Sequence, residues 1–117
     1  MSMHNYYTTL QQQCISPTEY LFTVQLNVDC DVYKGHFPNQ PVAPGACQLQ
    51  IVKECASAAL GRPIRLTSIK QCKFLRTIIP TQVNTLEIHL TFGDNNSLQA
   101  EVRAGETTYV KIKAQVQ

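Results

Sequence analysis

From Glu19 to Val28 the apolar side chains fall on every second residue. Tyr20, Phe22, Val24, Leu26 and Val28 share one face, with Thr23, Gln25 and Asn27 on the other. A period of two marks a strand with one covered face. The same alternation runs through Thr85–Phe92, where Leu86, Ile88, Leu90 and Phe92 oppose Glu87, His89 and Thr91. It recurs in Leu98–Ala104 and in Thr108–Val116. Tyr6–Ile15 is rich in tyrosine and threonine and predicts a further strand, forming a hairpin with Glu19–Val28 across Ser16-Pro17-Thr18. Ile64–Arg76 predicts a long, bent strand, and Pro80 closes the segment after it. Turns are expected at Gly93-Asp94-Asn95-Asn96 and at Gly105-Glu106.

One stretch breaks this period. Gly45–Leu60 predicts a helix, stopped by Gly61 and Pro63. Gln50, Lys53, Glu54 and Ser57 fall in a polar wedge of about 100°. Ala46, Cys47, Leu49, Ile51, Val52, Cys55, Ala56, Ala59 and Leu60 cover most of the rest, interrupted by Gln48. A helix apolar over more than half its circumference is expected to be mostly enclosed, with Gln48 a buried amide bonded to backbone. The order is β-β-α-β-β-β-β. One-sided strands need a cover, and one helix must supply it. The expected fold is α+β, an antiparallel sheet wrapped around one central helix.

Composition narrows the class. A chain of 117 residues is one domain's worth, so residues 1–117 are expected to form a single domain. At 44% hydrophobic and 15% charged it can build a folded core. No run of about 20 apolar residues could span a membrane. The N-terminal residues lack a basic region followed by an apolar stretch, so no signal peptide is expected. A net charge of +2 without a basic run argues against nucleic-acid binding. The five cysteines, Cys14, Cys30, Cys47, Cys55 and Cys72, form no CxxC pair and are expected to be core thiols of a reducing compartment, with no metal site. His89 alternates onto the outer face and reads as a surface or interface residue. A cytoplasmic location follows as an expectation. So short a chain has little room for a deep site of its own, which directs attention to a subunit interface.

Residues 29–44 are the least regular part, holding Gly35, Pro38, Pro41 and Pro44. Within them Gly35-His36-Phe37-Pro38 places a histidine between a glycine and an aromatic residue, and three prolines then lead to the helix N-terminus. A stiff loop of this kind holds a side chain in place, as catalysis needs. Residues 35–45 also resemble the GHFPxxPxxPG signature of the hotdog-fold 3-hydroxyacyl-[acyl carrier protein] dehydratases, with all seven fixed positions present. Lys73-Phe74-Leu75-Arg76-Thr77-Ile78-Ile79-Pro80 is similar to that family's KFxRxVxP segment. The element order agrees, so the resemblance covers nearly the whole chain.

The resemblance implies a hotdog fold in a homodimer, with two sites between subunits and no cofactor. It maps the base that acts on C2 of a 3-hydroxyacyl thioester onto His36. The backbone N–H that polarises the thioester carbonyl maps onto Gly45, and a helix N-terminus independently suits that role. Phe37, Pro44 and Ala46 fall beside the substrate. The family's carboxylic acid lies fourteen residues after the histidine, which here is Gln50. An amide can hydrogen-bond a hydroxyl but cannot protonate one. Glu54 follows four residues later, where many relatives carry glutamine, so the two residue types look exchanged. One helical turn rises about 5.4 Å, and residues four apart share a face, so Glu54 can reach the same pocket. As a plain surface carboxylate, Glu54 would instead pair with Lys53 or Lys34. Lys34, Lys70, Lys73 and Arg76 are the candidate cations for docking an acidic acyl carrier protein.

Three functional readings follow. One is a dehydratase of a fatty-acid-like or polyene pathway, toward which Pro44-Gly45-Ala46-Cys47-Gln48-Leu49 points, because it resembles relatives acting on polyene-type chains. The second is a thioester hydrolase on the same fold. The third is a non-catalytic partner that pairs with an active paralogous dehydratase subunit supplying the missing acid.

Overall fold

Residues 6–33 and 42–117 are described in the computed structural model. Lys34, His36 and Phe37 therefore lie outside the described residues. The elements run β1 (Tyr7–Cys14), β2 (Glu19–Leu26), α1 (Gly45–Leu60), β3 (Leu66–Phe74), β4 (Thr85–Phe92), β5 (Ser97–Ala104) and β6 (Thr107–Val116). The expected order holds; β1, β2 and β3 are shorter than expected by one or two residues at an end, β4 keeps its bounds, and β5 and β6 each begin one residue earlier. All six strands join one antiparallel sheet in the order β1-β2-β4-β5-β6-β3. The helix lies against its inner face, which is the hotdog arrangement.

The period-two pattern becomes the core. Phe22, Val24 and Leu26 of β2 are buried, as are Leu86, Ile88 and Leu90 of β4, and Val110, Ile112, Ala114 and Val116 of β6. The helix meets them with Cys47, Ile51, Val52, Cys55 and Ala56. The remaining helical arc is less enclosed than its apolar residues suggest. Leu49 and Ala59 are half-buried, while Ala46 and Leu60 are exposed. Ala46 sits four residues before Gln50 and seven before Lys53, so it belongs to the polar side.

Two expectations need correction. Ile64–Arg76 is regular only from Leu66 to Phe74, and its register shifts between Leu66 and Ser68 and between Ile69 and Gln71. These irregularities supply the expected bend. The cysteines are not uniformly core: Cys47 and Cys55 are buried, Cys30 and Cys72 half-buried, and Cys14 exposed. Cys14 lies on β1, an edge strand whose side chains beyond Tyr7 are all exposed.

The helix C-terminus is set by Gly61, which takes a left-handed conformation (φ 70°) and donates its N–H to the Ser57 carbonyl. A Cβ there would meet nothing within 4 Å, so its cost is purely backbone. Gly61→Ala is expected to lower stability by about 1 kcal/mol, read as a lower urea midpoint at unchanged m-value.

Candidate active site

The chain leaves the core at Tyr33 and returns at Val42, and the Val42 N–H donates to the Tyr33 carbonyl at 3.0 Å. The two ends of segment 34–41, which carries the histidine motif, are thus tied together. The returning strand is fastened at two further points. The Ala43 N–H donates to the Ile78 carbonyl at 2.9 Å. The Gln48 Nε2 amide donates to the Ala43 carbonyl at 3.0 Å. Gln48 is buried and backbone-bonded, as its position opposite the polar wedge predicts. Its Oε1 is buried with no hydrogen-bond partner among the described residues.

Pro44 then caps the helix without a side-chain bond. Its carbonyl accepts the N–H groups of Cys47 and Gln48 at 3.1 and 3.2 Å. Among the described residues no carbonyl takes the Gly45 N–H. The first turn of a helix leaves such donors for a ligand or water, with partial positive charge behind them. Beside it opens a cleft of about 610 Å³, lined by Val42–Gly45, Gln48 and Phe74–Thr77. Phe74 covers Gly45 so closely that a Cβ at position 45 would lie 2.8 Å from its ring tip. The absence of a side chain at Gly45 is what admits that ring. Residues 74–77 of that lining are turned by a bulge in β6, where Val102 pairs with Val110 but Arg103 with Thr108. The bulged Tyr109 offers its carbonyl to the Leu75 N–H at 2.8 Å, turning the chain off β3.

A second polar group lies further along the helix. The Gln50 Nε2 amide donates to Glu54 Oε2 at 2.7 Å. The Tyr7 hydroxyl, from the start of β1, donates to Glu54 Oε1. Glu54 is therefore paired with Tyr7 and Gln50, and not with Lys53. Adjacent residues on a helix point about 100° apart, whereas residues four apart share a face. Pairing with Lys34 falls outside the described residues.

Tyr7 is one of three linked tyrosines. Its ring lies edge-on to Tyr6 at 5.1 Å, and Tyr6 lies edge-on to Tyr33 at 6.4 Å. The Tyr6 hydroxyl donates to the Cys47 carbonyl at 3.3 Å, and the Tyr33 hydroxyl to the Tyr6 carbonyl. Burial raises all three hydroxyls well above the ordinary tyrosine range, and the Glu54 charge adds to the effect at Tyr6 and Tyr7. They remain donors wherever the fold survives. Burial, with the Glu54 charge behind it, pushes the Cys55 thiol up to about 12. Burial also raises Cys47 and Cys72. A raised thiol stays protonated near neutral pH, which disfavours its use as a nucleophile. Among the described residues no three histidine, cysteine, aspartate or glutamate side chains converge to hold a metal ion.

Lys70, Lys73 and Arg76 are all exposed on or just beyond β3, and Arg76 also borders the cleft. The sheet adds two cations that sequence spacing did not single out. Lys111 pairs with Lys73 across β6 and β3, and Lys113 pairs with Gln71 beside Lys70. Their alternation on β6 marked them as outward-facing, but only strand pairing brings them beside β3. His89 is half-buried on the outer face, in register with Leu21 and Glu101. Tyr7 was the other residue missed, since nothing local links it to a helix position 47 residues away.

Comparison with known proteins agrees with this architecture. The family model described as ApeI-like, ApeI dehydratase, matches residues 11–113. A 3-hydroxyacyl-[acyl-carrier-protein] dehydratase FabZ of Clostridium novyi is 32% identical over 65 residues, covering 50% of this chain and 46% of that protein. The FabZ of Lactococcus lactis is 26% identical over 84 residues, covering 66% and 56%. The chain spans about half the length of the curated relatives it matches. Among solved structures, the dehydratase heterocomplex ApeI:P from Xenorhabdus doucetiae superposes with a TM-score of 0.81 at 24% identity, covering 93% of this chain and 96% of that one. The dehydratase domain of the CurF module of curacin polyketide synthase superposes with a TM-score of 0.70 at 12% identity, over 99% of this chain and 45% of that one.

Proposed function

We propose that this chain, which belongs to the ApeI-like dehydratase family, removes water reversibly from a 3-hydroxyacyl thioester to give a trans-2-enoyl thioester. The observation that carries the reading is the Gln50–Glu54 contact. It joins the position where the resembled dehydratases hold their acid to a carboxyl group one turn away. In the proposed reaction His36 takes a proton from C2, and the electron pair of that bond becomes the C2–C3 double bond. The C3–O bond breaks, and the leaving hydroxyl takes a proton from Glu54 and departs as water. The Gly45 N–H, at the positive end of the helix, steadies charge on the thioester oxygen meanwhile. Phe37, Pro44 and Ala46 would flank the substrate. No cofactor takes part.

The working unit in this proposal is a homodimer, with His36 from one copy and Glu54 from the other. The outer edge of β3, which pairs with no strand among the described residues, supports it, because Ile69, Phe74 and the following Leu75 stand exposed there. An acyl carrier protein is the proposed substrate carrier, drawn to Lys70, Lys73 and Arg76, with Lys111 and Lys113 extending that band. A second reading has one specific support. The Xenorhabdus structure is a heterocomplex by its own description, and an amide at position 50 suits a chain that pairs with a paralogous subunit.

The test is mass spectrometry of the acyl carrier after incubation with a 3-hydroxyacyl carrier protein. Loss of one water supports the dehydratase reading. Release of the free carrier thiol would replace it with a hydrolase. Activity appearing only in a mixed dimer would favour the partner reading.

A further inference from the structure

We infer that Tyr7 is the positioning residue that fixes the carboxyl group of Glu54, clamping it together with Gln50 in the orientation the reaction uses. The inference rests on the reading of Glu54 as the proton donor. Glu54 is exposed on the polar side of the helix, and a carboxyl group on a free glutamate chain would sample several rotamers. Here each oxygen has its own partner, Gln50 Nε2 on Oε2 and the Tyr7 hydroxyl on Oε1. The two partners come from different elements, so the carboxyl plane is held from the helix and from the sheet edge at once.

Both partners are donors that leave the carboxyl group able to act as an acid. An amide N–H can only donate, so Oε2 stays an acceptor throughout. The Tyr7 hydroxyl donates to one lone pair of Oε1, which leaves the other to carry the proton toward the substrate. The clamp therefore holds in both states, which a group that loses and regains a proton each turnover requires. Burial keeps the phenol protonated, so it does not compete as an acid. Tyr7 is itself anchored, because its ring lies against Tyr6, whose hydroxyl is bonded to the first turn of the same helix. Tyr6 in turn meets Tyr33, at the base of the segment that carries His36.

The experiment is a double-mutant cycle on the full chain, with enoyl product measured for wild type, Tyr7→Phe, Glu54→Gln and the double variant. Tyr7→Phe keeps the ring against Tyr6 and removes only the hydroxyl. Loss of orientation alone is expected to lower kcat by about 10- to 100-fold. KM is expected to stay within about two-fold, since the clamp acts on the acid and not on substrate binding. The double variant is expected to match Glu54→Gln alone, because Tyr7 acts only through Glu54. Wild-type kcat in Tyr7→Phe alongside a loss in Glu54→Gln would overturn the inference and leave the acid assignment standing. Losses that multiply in the double variant would overturn it too. Wild-type kcat in Glu54→Gln would instead remove the acid assignment, and this inference with it.

Discussion

Glu54→Gln is expected to lower kcat for dehydration by about 10²–10⁴-fold, the usual consequence of removing a general acid. The substitution keeps the side chain's length and an oxygen that can still accept from Tyr7, so the thermal midpoint should stay near that of wild type. The loss would then be chemical and not structural. The complementary variant, Gln50→Glu, sets two carboxyl groups where an amide and a carboxylate now meet at 2.7 Å. Two such groups cannot both ionise cheaply, so one is expected to hold its proton to higher pH. The exchanged pair, Gln50→Glu with Glu54→Gln, is expected to recover part of the activity lost in Glu54→Gln. Wild-type turnover in Glu54→Gln, with enoyl product still formed, would mean that the acid comes from elsewhere, and the paralogous-partner reading would gain.

His36→Ala is expected to cost a similar factor, about 10²–10⁴-fold in kcat, by removing the base. A thermal midpoint measured beside the kinetics separates a chemical loss from a folding one. The two substitutions also separate the proposed assembly. If each site draws His36 from one copy and Glu54 from the other, mixing the two single variants re-forms one intact site per heterodimer. About a quarter of wild-type activity is expected for random assortment, since half the dimers would carry one good site out of two. No recovery on mixing, with subunit exchange shown to occur, would place both residues in one chain.

Much of this could be read before the fold was seen. Alternation of Phe22, Val24 and Leu26, and of Leu86, Ile88 and Leu90, identified the covered face, because the strand period is a local property of the backbone. Gly61 marked the helix end for a similarly local reason. Gln48 was legible as a buried amide because it interrupts an apolar arc. The exposure of Ala46 is not legible in its apolar character; its place, four residues from Gln50, decides it. The exposure of Cys14 is not legible either, because no local pattern shows that β1 becomes an edge. Glu54 was legible as a carboxylate near the acid position, but its partners were not.

By itself the sequence determined the elements, their order, the inward faces and the motif that ties residues 35–45 to a dehydratase family. All of these depend on neighbours within a turn or a strand pair of positions. Tertiary structure decided what lies beside what. It sent β3 to the far edge of the sheet, next to β6, and so brought Lys111 and Lys113 to Lys73 and Lys70. It laid Phe74 over Gly45 and brought Tyr7 to Glu54. The physical reason is that these contacts join residues far apart along the chain. Each depends on how the whole sheet curls around the helix, which no local period encodes.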